Sequence, residues 1–172
     1  GETLKIKYPE TFDNDMPNHL IYSGSKELTG TTNTPLDTGQ LVLSPTRTYA
    51  PVIKKILDTI DRKDIHGMVH CSGGGQTKIL HFIDNLHVIK DNLFECPPLF
   101  DMIQKESGAS WREMYEVFNM GHRMEVYLPE SRAQQLIDIA ESFNVGAQII
   151  GRVDASNEKK LTIQSADGIF KY

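Results

Sequence analysis

The 172-residue chain is poor in cysteine, in tryptophan and in clustered positive charge: it has two Cys, one Trp and no block of lysines and arginines. Two cysteines, Cys71 and Cys96, are too few for a disulfide framework, and they lack the Cys-x-x-Cys spacing of a zinc site. The expectation is a reducing, cytoplasmic compartment. Against 18 Lys and Arg stand 23 Asp and Glu, a formal net charge of -5. A duplex-binding protein carries the opposite balance, so nucleic acid is not an expected partner. No apolar run approaches the roughly 18 residues of a membrane-spanning helix, and a soluble protein without a membrane partner is expected. There is no internal repeat and no low-complexity segment.

What is there suits one globular domain with a core, 39% hydrophobic and 24% charged. The first residue is Gly1, not Met, and the following forty positions are crowded with turn formers such as "NDMPN", "YSGS" and "TGTTNTPLDTG". Residues 1–40 therefore read as an irregular lead-in, and residues 41–172 as the domain proper, the C-terminal portion of a longer polypeptide. In "YAPVIKKILDTI", Pro51 sits where a first helical turn tolerates proline, and Val52, Ile53, Ile56, Leu57 and Ile60 recur at helical spacing. "IHGMVH" reads as a buried strand and "QTKILHFI" as a short helix. "LHVIK" reads as a second strand. A helix is expected from Pro97-Pro98 to Gly108, and another from Ser110, with Glu113 completing a capping box. "RMEVYL" alternates Met124, Val126 and Leu128 inward against Arg123, Glu125 and Tyr127 outward. After Pro129, a helix turns Ala133, Leu136, Ile137, Ala140 and Phe143 to one side. "AQIIGRV" and "KLTIQ" close the chain as strands, with Asp167-Gly168 as a hairpin turn. Strands alternate with helices and then follow one another, which favours an α+β fold with a layered sheet over a doubly wound one.

The segment "VHCSGGGQTKIL" places Gly73, Gly74 and Gly75 between a strand and a helix. Glycine permits φ > 0 and close approach to the backbone, so the loop reads either as an anion cradle or as a tight connection packed backbone on backbone. It matches neither the dinucleotide fingerprint nor the P-loop, and Lys78 fits the spacing of neither. His66 and His70 lie about 13 Å apart at the strand rise and do not share an ion. No metal site and no Cys-His nucleophile pair is expected.

Several stretches in register carry a resemblance: "LSPTRTY", "IHGMVHCSGGG", "EMYEVFNMGHRMEVYLP" and "AQIIGRV". Together they resemble the C-terminal domain of the phosphoribosylformylglycinamidine cyclo-ligase (aminoimidazole ribonucleotide synthetase) family across about Leu41 to Val153. The resemblance implies a layered α/β/α domain with a mixed, largely antiparallel, partly ferredoxin-like sheet. It implies ATP-dependent ring closure of formylglycinamidine ribonucleotide to aminoimidazole ribonucleotide, with release of ADP and phosphate. It also implies a homodimer, with ATP and Mg2+ bound mainly by an N-terminal domain of the same chain. The catalytic residues are expected in that domain, so these 172 residues alone should be inactive. Within this chain, Gly73, Gly74 and Gly75 would meet the phosphate of the small-molecule ribonucleotide, with Thr46 and Arg47 of "PTR" as further ligands. His70 and Asn119 would support them. For Arg47 a surface helix-entry turn is the competing reading, and for Asn119 a helix C-terminus ended by Asn-Met-Gly.

The chain also departs from the family. After the glycines it has "QTKILHF" where the family shows an Asn and an "IPR"-like segment, and Arg123 stands where a glycine is usual. Gln76, Lys78 or Arg123 are the candidates to replace the lost polar contacts. Two other classes stay open: a related ATP-dependent small-molecule kinase or synthetase of the same superfamily, and a non-catalytic phosphate-ligand binding module.

Overall fold

The structure is a computed structural model that describes residues 25–45 and 47–172, with the isolated positions Ile6 and Pro9. Most of the expected lead-in, and Thr46, lie outside the described residues. The part that is described ends in a short helix, α1 (Thr38–Val42), which crosses the expected boundary at residue 40. Its start carries a complete capping box: Asp37 Oδ1 accepts the Gln40 N–H, and Gln40 Oε1 accepts the Asp37 N–H.

The helix α2 (Ala50–Thr59) begins with Pro51 in its first turn and buries Val52 and Ile56, while Leu57, expected inside, is 45% exposed. A 3-10 turn over Arg62–Asp64 leads into β1 (Gly67–His70), and a 3-10 helix, Gly75–His81, follows the glycines. Next come β2 (Leu86–Lys90), α3 (Pro98–Ser107) and α4 (Trp111–Val117). Gly108, with φ of 68°, ends α3, and the Ser110 hydroxyl caps α4 by accepting the Glu113 N–H at 3.2 Å. The remaining elements are β3 (Met124–Tyr127), α5 (Glu130–Glu141), β4 (Gly151–Ala155), β5 (Lys160–Ser165) and β6 (Gly168–Lys171). Ser165 pairs with Gly168, so the hairpin turn is Ala166-Asp167, one residue earlier than the sequence suggested.

The α+β class and the mixed sheet are as expected, in two ladders. The larger has the order β4-β2-β5-β6, with β2 and β5 parallel and the outer pairs antiparallel. The smaller pairs β1 with β3 antiparallel, Met68 opposite Val126 and Val69 opposite Glu125. Side chains alternate across a strand, so the small ladder serves two cores. Met68 and Val126 pack with Val52, Ile56, Ile60 and Ile139 under α2 and α5. Val69 and Tyr127 belong to the other core, with Val88, Met114, Tyr115, Leu161 and Ile163. Glu125 follows that second face inward and is 6% exposed, which overturns its expected outward position.

Candidate functional site

The three glycines differ in what surrounds them. Their φ angles are 52°, 85° and 47°, a left-handed run that L side chains rarely adopt. A Cβ on Gly73 would meet nothing within 4 Å. A Cβ on Gly75 would collide with the Phe118 carbonyl oxygen and lie 2.7 Å from that of Tyr115, at the end of α4. The loop is thus both things the sequence allowed: its third glycine packs backbone on backbone, and its first stays open. Lys78, half-buried, folds back along the loop and donates from Nζ to the Ser72 carbonyl at 2.7 Å, with the Ser72 hydroxyl at 3.5 Å. A positive charge therefore stands at a stretch of accessible backbone.

Beneath the loop lies a buried polar cluster that sequence reasoning missed. Lys90 is 1% exposed, and its three N–H groups all find acceptors. They are the Gln76 carbonyl at 2.8 Å, Gln76 Oε1 at 3.0 Å and Glu125 Oε1 at 2.5 Å. The other carboxylate oxygen, Glu125 Oε2, accepts the Tyr127 hydroxyl at 2.6 Å. Gln76, with no exposed surface, donates from Nε2 to the Asn119 carbonyl at 2.5 Å and reaches the His122 carbonyl at 3.5 Å. A buried ammonium requires this degree of compensation, because desolvation costs it several kcal/mol. The signal was present in the sequence: Leu86, Val88 and Lys90 share one face of a strand, which puts a lysine in register with a buried valine.

Burial sets the protonation of the neighbouring groups. Burial, followed by the Glu125 carboxylate, pushes the Cys71 thiol up to about 12, so it is a packed side chain and no nucleophile at neutral pH. The Tyr127 phenol is raised by the same two causes. His122 is 4% exposed, and its Nε2 accepts the Phe94 N–H at 3.0 Å, which assigns the neutral ring's proton to Nδ1. Nδ1 is the one buried side-chain N or O atom among the described residues without a hydrogen-bond partner. Burial, then the Lys90 charge, lowers His122 to about 4, with Glu125 opposing. The unfolded chain takes up this proton near 6.5, so the unfolded state binds more protons between the two values. Stability is therefore expected to be full above pH 6.5 and to fall by roughly 3 kcal/mol as pH drops to 4. Urea melts of the wild type and His122→Gln across that range check this, since the variant should lose that part of the slope.

The structure brings together only some of the expected site residues. Asn119 lies beside the glycine loop through its carbonyl, and its side-chain Oδ1 accepts the Gly121 N–H at 2.9 Å, closing a turn in which Met120 and Gly121 have φ of 50° and 93°. Arg123 has no positive φ, so its side chain is carried without backbone strain; its carbonyl accepts the Cys71 N–H at 2.9 Å. His70 is exposed at the end of β1. Arg47, also exposed, donates from Nη1 to the Asn144 carbonyl at 2.6 Å, past the end of α5, a contact that ties it to the other core. Gln76, expected as a replacement ligand, is wholly internal. A cleft of about 1220 Å³ is lined by α2, α5, β1 to β3 and the segment 145–153; Lys90, His122, Arg123 and Glu125 reach it, and Gly73–Gly75 do not.

These features define a layered α+β domain that presents an open glycine loop above a buried, fully paired lysine. Residues 20–164 match the family described as AIR synthase related protein, C-terminal domain, and the chain belongs to that family. Among curated proteins it is 39% identical over 119 residues to a phosphoribosylformylglycinamidine cyclo-ligase of Methanocaldococcus jannaschii, covering 68% of this chain and 33% of that protein. It is 33% identical over 130 residues to the protein of that name from Methanococcus vannielii, covering 76% and 34%. The same identity over 129 residues relates it to the one from Carboxydothermus hydrogenoformans, covering 70% and 35%. The chain thus spans about a third of the length of the curated relatives it matches.

Proposed function

We propose that this chain is the C-terminal part of an ATP-dependent cyclo-ligase that closes the imidazole ring of formylglycinamidine ribonucleotide, yielding aminoimidazole ribonucleotide, ADP and phosphate in purine biosynthesis. The observation that carries this reading is the name shared by relatives at 33% and 39% identity. The accessible left-handed backbone at Gly73 and Gly74, with the Lys78 ammonium on it, supports a role in holding the ribonucleotide phosphate. Amide donors and a lysine together suit a phosphate dianion. Thr46 and Arg47 are further ligands in this reading; Arg47, being exposed, would have to turn from Asn144 to take part. His70 and Asn119 are supporting residues in this reading.

What ATP supplies, when bound, is phosphoryl transfer to the formyl amide oxygen, which makes that oxygen a leaving group for attack by the amidine nitrogen. Among the described residues no group of three or more His, Cys, Asp or Glu side chains is placed to hold a metal ion. ATP and Mg2+ belong, in this reading, to an N-terminal domain of the same polypeptide. The working protein is a cytoplasmic homodimer. ADP release by the full-length protein carrying this chain, with and without formylglycinamidine ribonucleotide, tests the assignment. Substrate-dependent turnover is expected there and none from the 172 residues alone. Lys78→Ala should raise KM for the ribonucleotide about tenfold with kcat little changed, the effect of one charge-assisted hydrogen bond. A folded, ATP-binding protein without substrate-dependent turnover would instead favour a related kinase or synthetase, or a binding module.

A further inference from the structure

We propose that Gln76 is a positioning residue: its side-chain amide ties the glycine loop to the Asn119–Gly121 turn, so that the turn holds the loop in the conformation that offers its open backbone to a phosphate-bearing ligand. The inference rests on the reading of Gly73 and Gly74 as a phosphate contact. Gln76 follows the loop directly and has no exposed surface, so it acts only through other residues. Both ends of its amide are committed. Lys90 is a donor without acceptor capacity, so the group facing it at 3.0 Å must be the amide oxygen. The NH2 is thereby aimed at the Asn119 carbonyl, 2.5 Å away, with the His122 carbonyl at 3.5 Å. Lys90 is held in turn by Glu125, and Glu125 by the Tyr127 hydroxyl. The orientation of one amide is thus fixed by an ion pair spanning β2 and β3, and through it the turn is fixed to the loop. A second contact, the Gly75 backbone against the Phe118 and Tyr115 carbonyls, joins the same two segments. The turn itself holds Met120 at φ of 50°, and a residue with a side chain keeps that conformation only when its surroundings impose it.

Gln76→Glu is the discriminating substitution. It keeps the volume and an oxygen for Lys90, but sets a second oxygen against the Asn119 carbonyl. The readout is amide hydrogen exchange in the 172-residue chain, together with amide shifts during titration with ribose 5-phosphate. The Gly121 and His122 N–H groups, which bond to Asn119 in the wild type at 2.9 Å each, should exchange at least tenfold faster in Gln76→Glu. Exchange in β5 should stay within twofold of wild type. Ribose 5-phosphate should shift Gly73 and Gly74 in the wild type, and in the variant the same shifts should need at least tenfold more ligand. Unchanged exchange at Gly121 and His122, or an equal rise there and in β5, would overturn the proposal by showing no coupling or mere global loosening. If Gln76→Glu does not fold, Gln76→Met, which removes the same donor without adding charge, must show the same local rise or the proposal falls. Wild-type glycines that ignore ribose 5-phosphate would overturn the phosphate reading; the exchange rates then decide the coupling on their own.

Discussion

Lys90→Met is expected to cost about 3–5 kcal/mol of unfolding free energy, the range for removing one partner of a buried ion pair. The loss arises less from the bond broken than from what remains. Glu125, 6% exposed, would be left buried without its counter-charge, beside the Tyr127 hydroxyl, and the Gln76 oxygens would lose their donor. Adding Glu125→Gln removes the stranded charge and keeps an oxygen for Tyr127, so the double variant should recover at least half of the deficit. Urea denaturation of the two single variants and the double completes the cycle. A single-variant cost below about 1 kcal/mol would mean that water reaches Glu125, and the pair would lose its role as a brace; a surface pair is worth about that little.

Gly75→Ala is expected to be nearly as severe, costing more than about 3 kcal/mol, because backbone clash and a disfavoured φ act together. Its methyl would press on the Phe118 and Tyr115 carbonyls, both fixed by α4, so no flexible side chain is available to give way. Gly73→Ala provides the contrast. With open space around it, that variant should lose only about 1–2 kcal/mol, the cost of the left-handed conformation itself. Thermal melts of both variants measure the difference, and equal destabilisation would contradict the packing role given to Gly75.

Local chemistry made much of this fold legible. Pro51 in a first turn, the Ser110 hydroxyl at an N-cap and Gly108 in the left-handed region each act within a few residues, so the sequence carries them in full. Alternation places Glu125 outside only where a strand has one dry face and one wet one. In fact β3 is covered on both sides, by α5 and α2 on one and by Lys90 on the other, and no local pattern announces a partner 35 residues away. Leu57, exposed at a helical position that fitted the apolar stripe, shows the converse limit: periodicity fixes a face but not its width. At the site, the glycine loop could be located from composition, whereas the bond of Arg47 to the Asn144 carbonyl could not. That depends on Arg47 meeting the end of α5, which is a matter of topology.

The order of strands also has a consequence in time. β2, which carries Lys90, is flanked in the sheet by β4 and β5 alone, and these strands occupy 151–155 and 160–165. As the chain is synthesised, β2 has no neighbour to pair with until more than half of the remaining domain has followed it. Loops of that length slow the closure of a sheet more than they weaken it. The lysine that steadies the glycine loop is therefore among the last groups to be sealed from water, and until then the nascent domain leaves Val88 uncovered beside it.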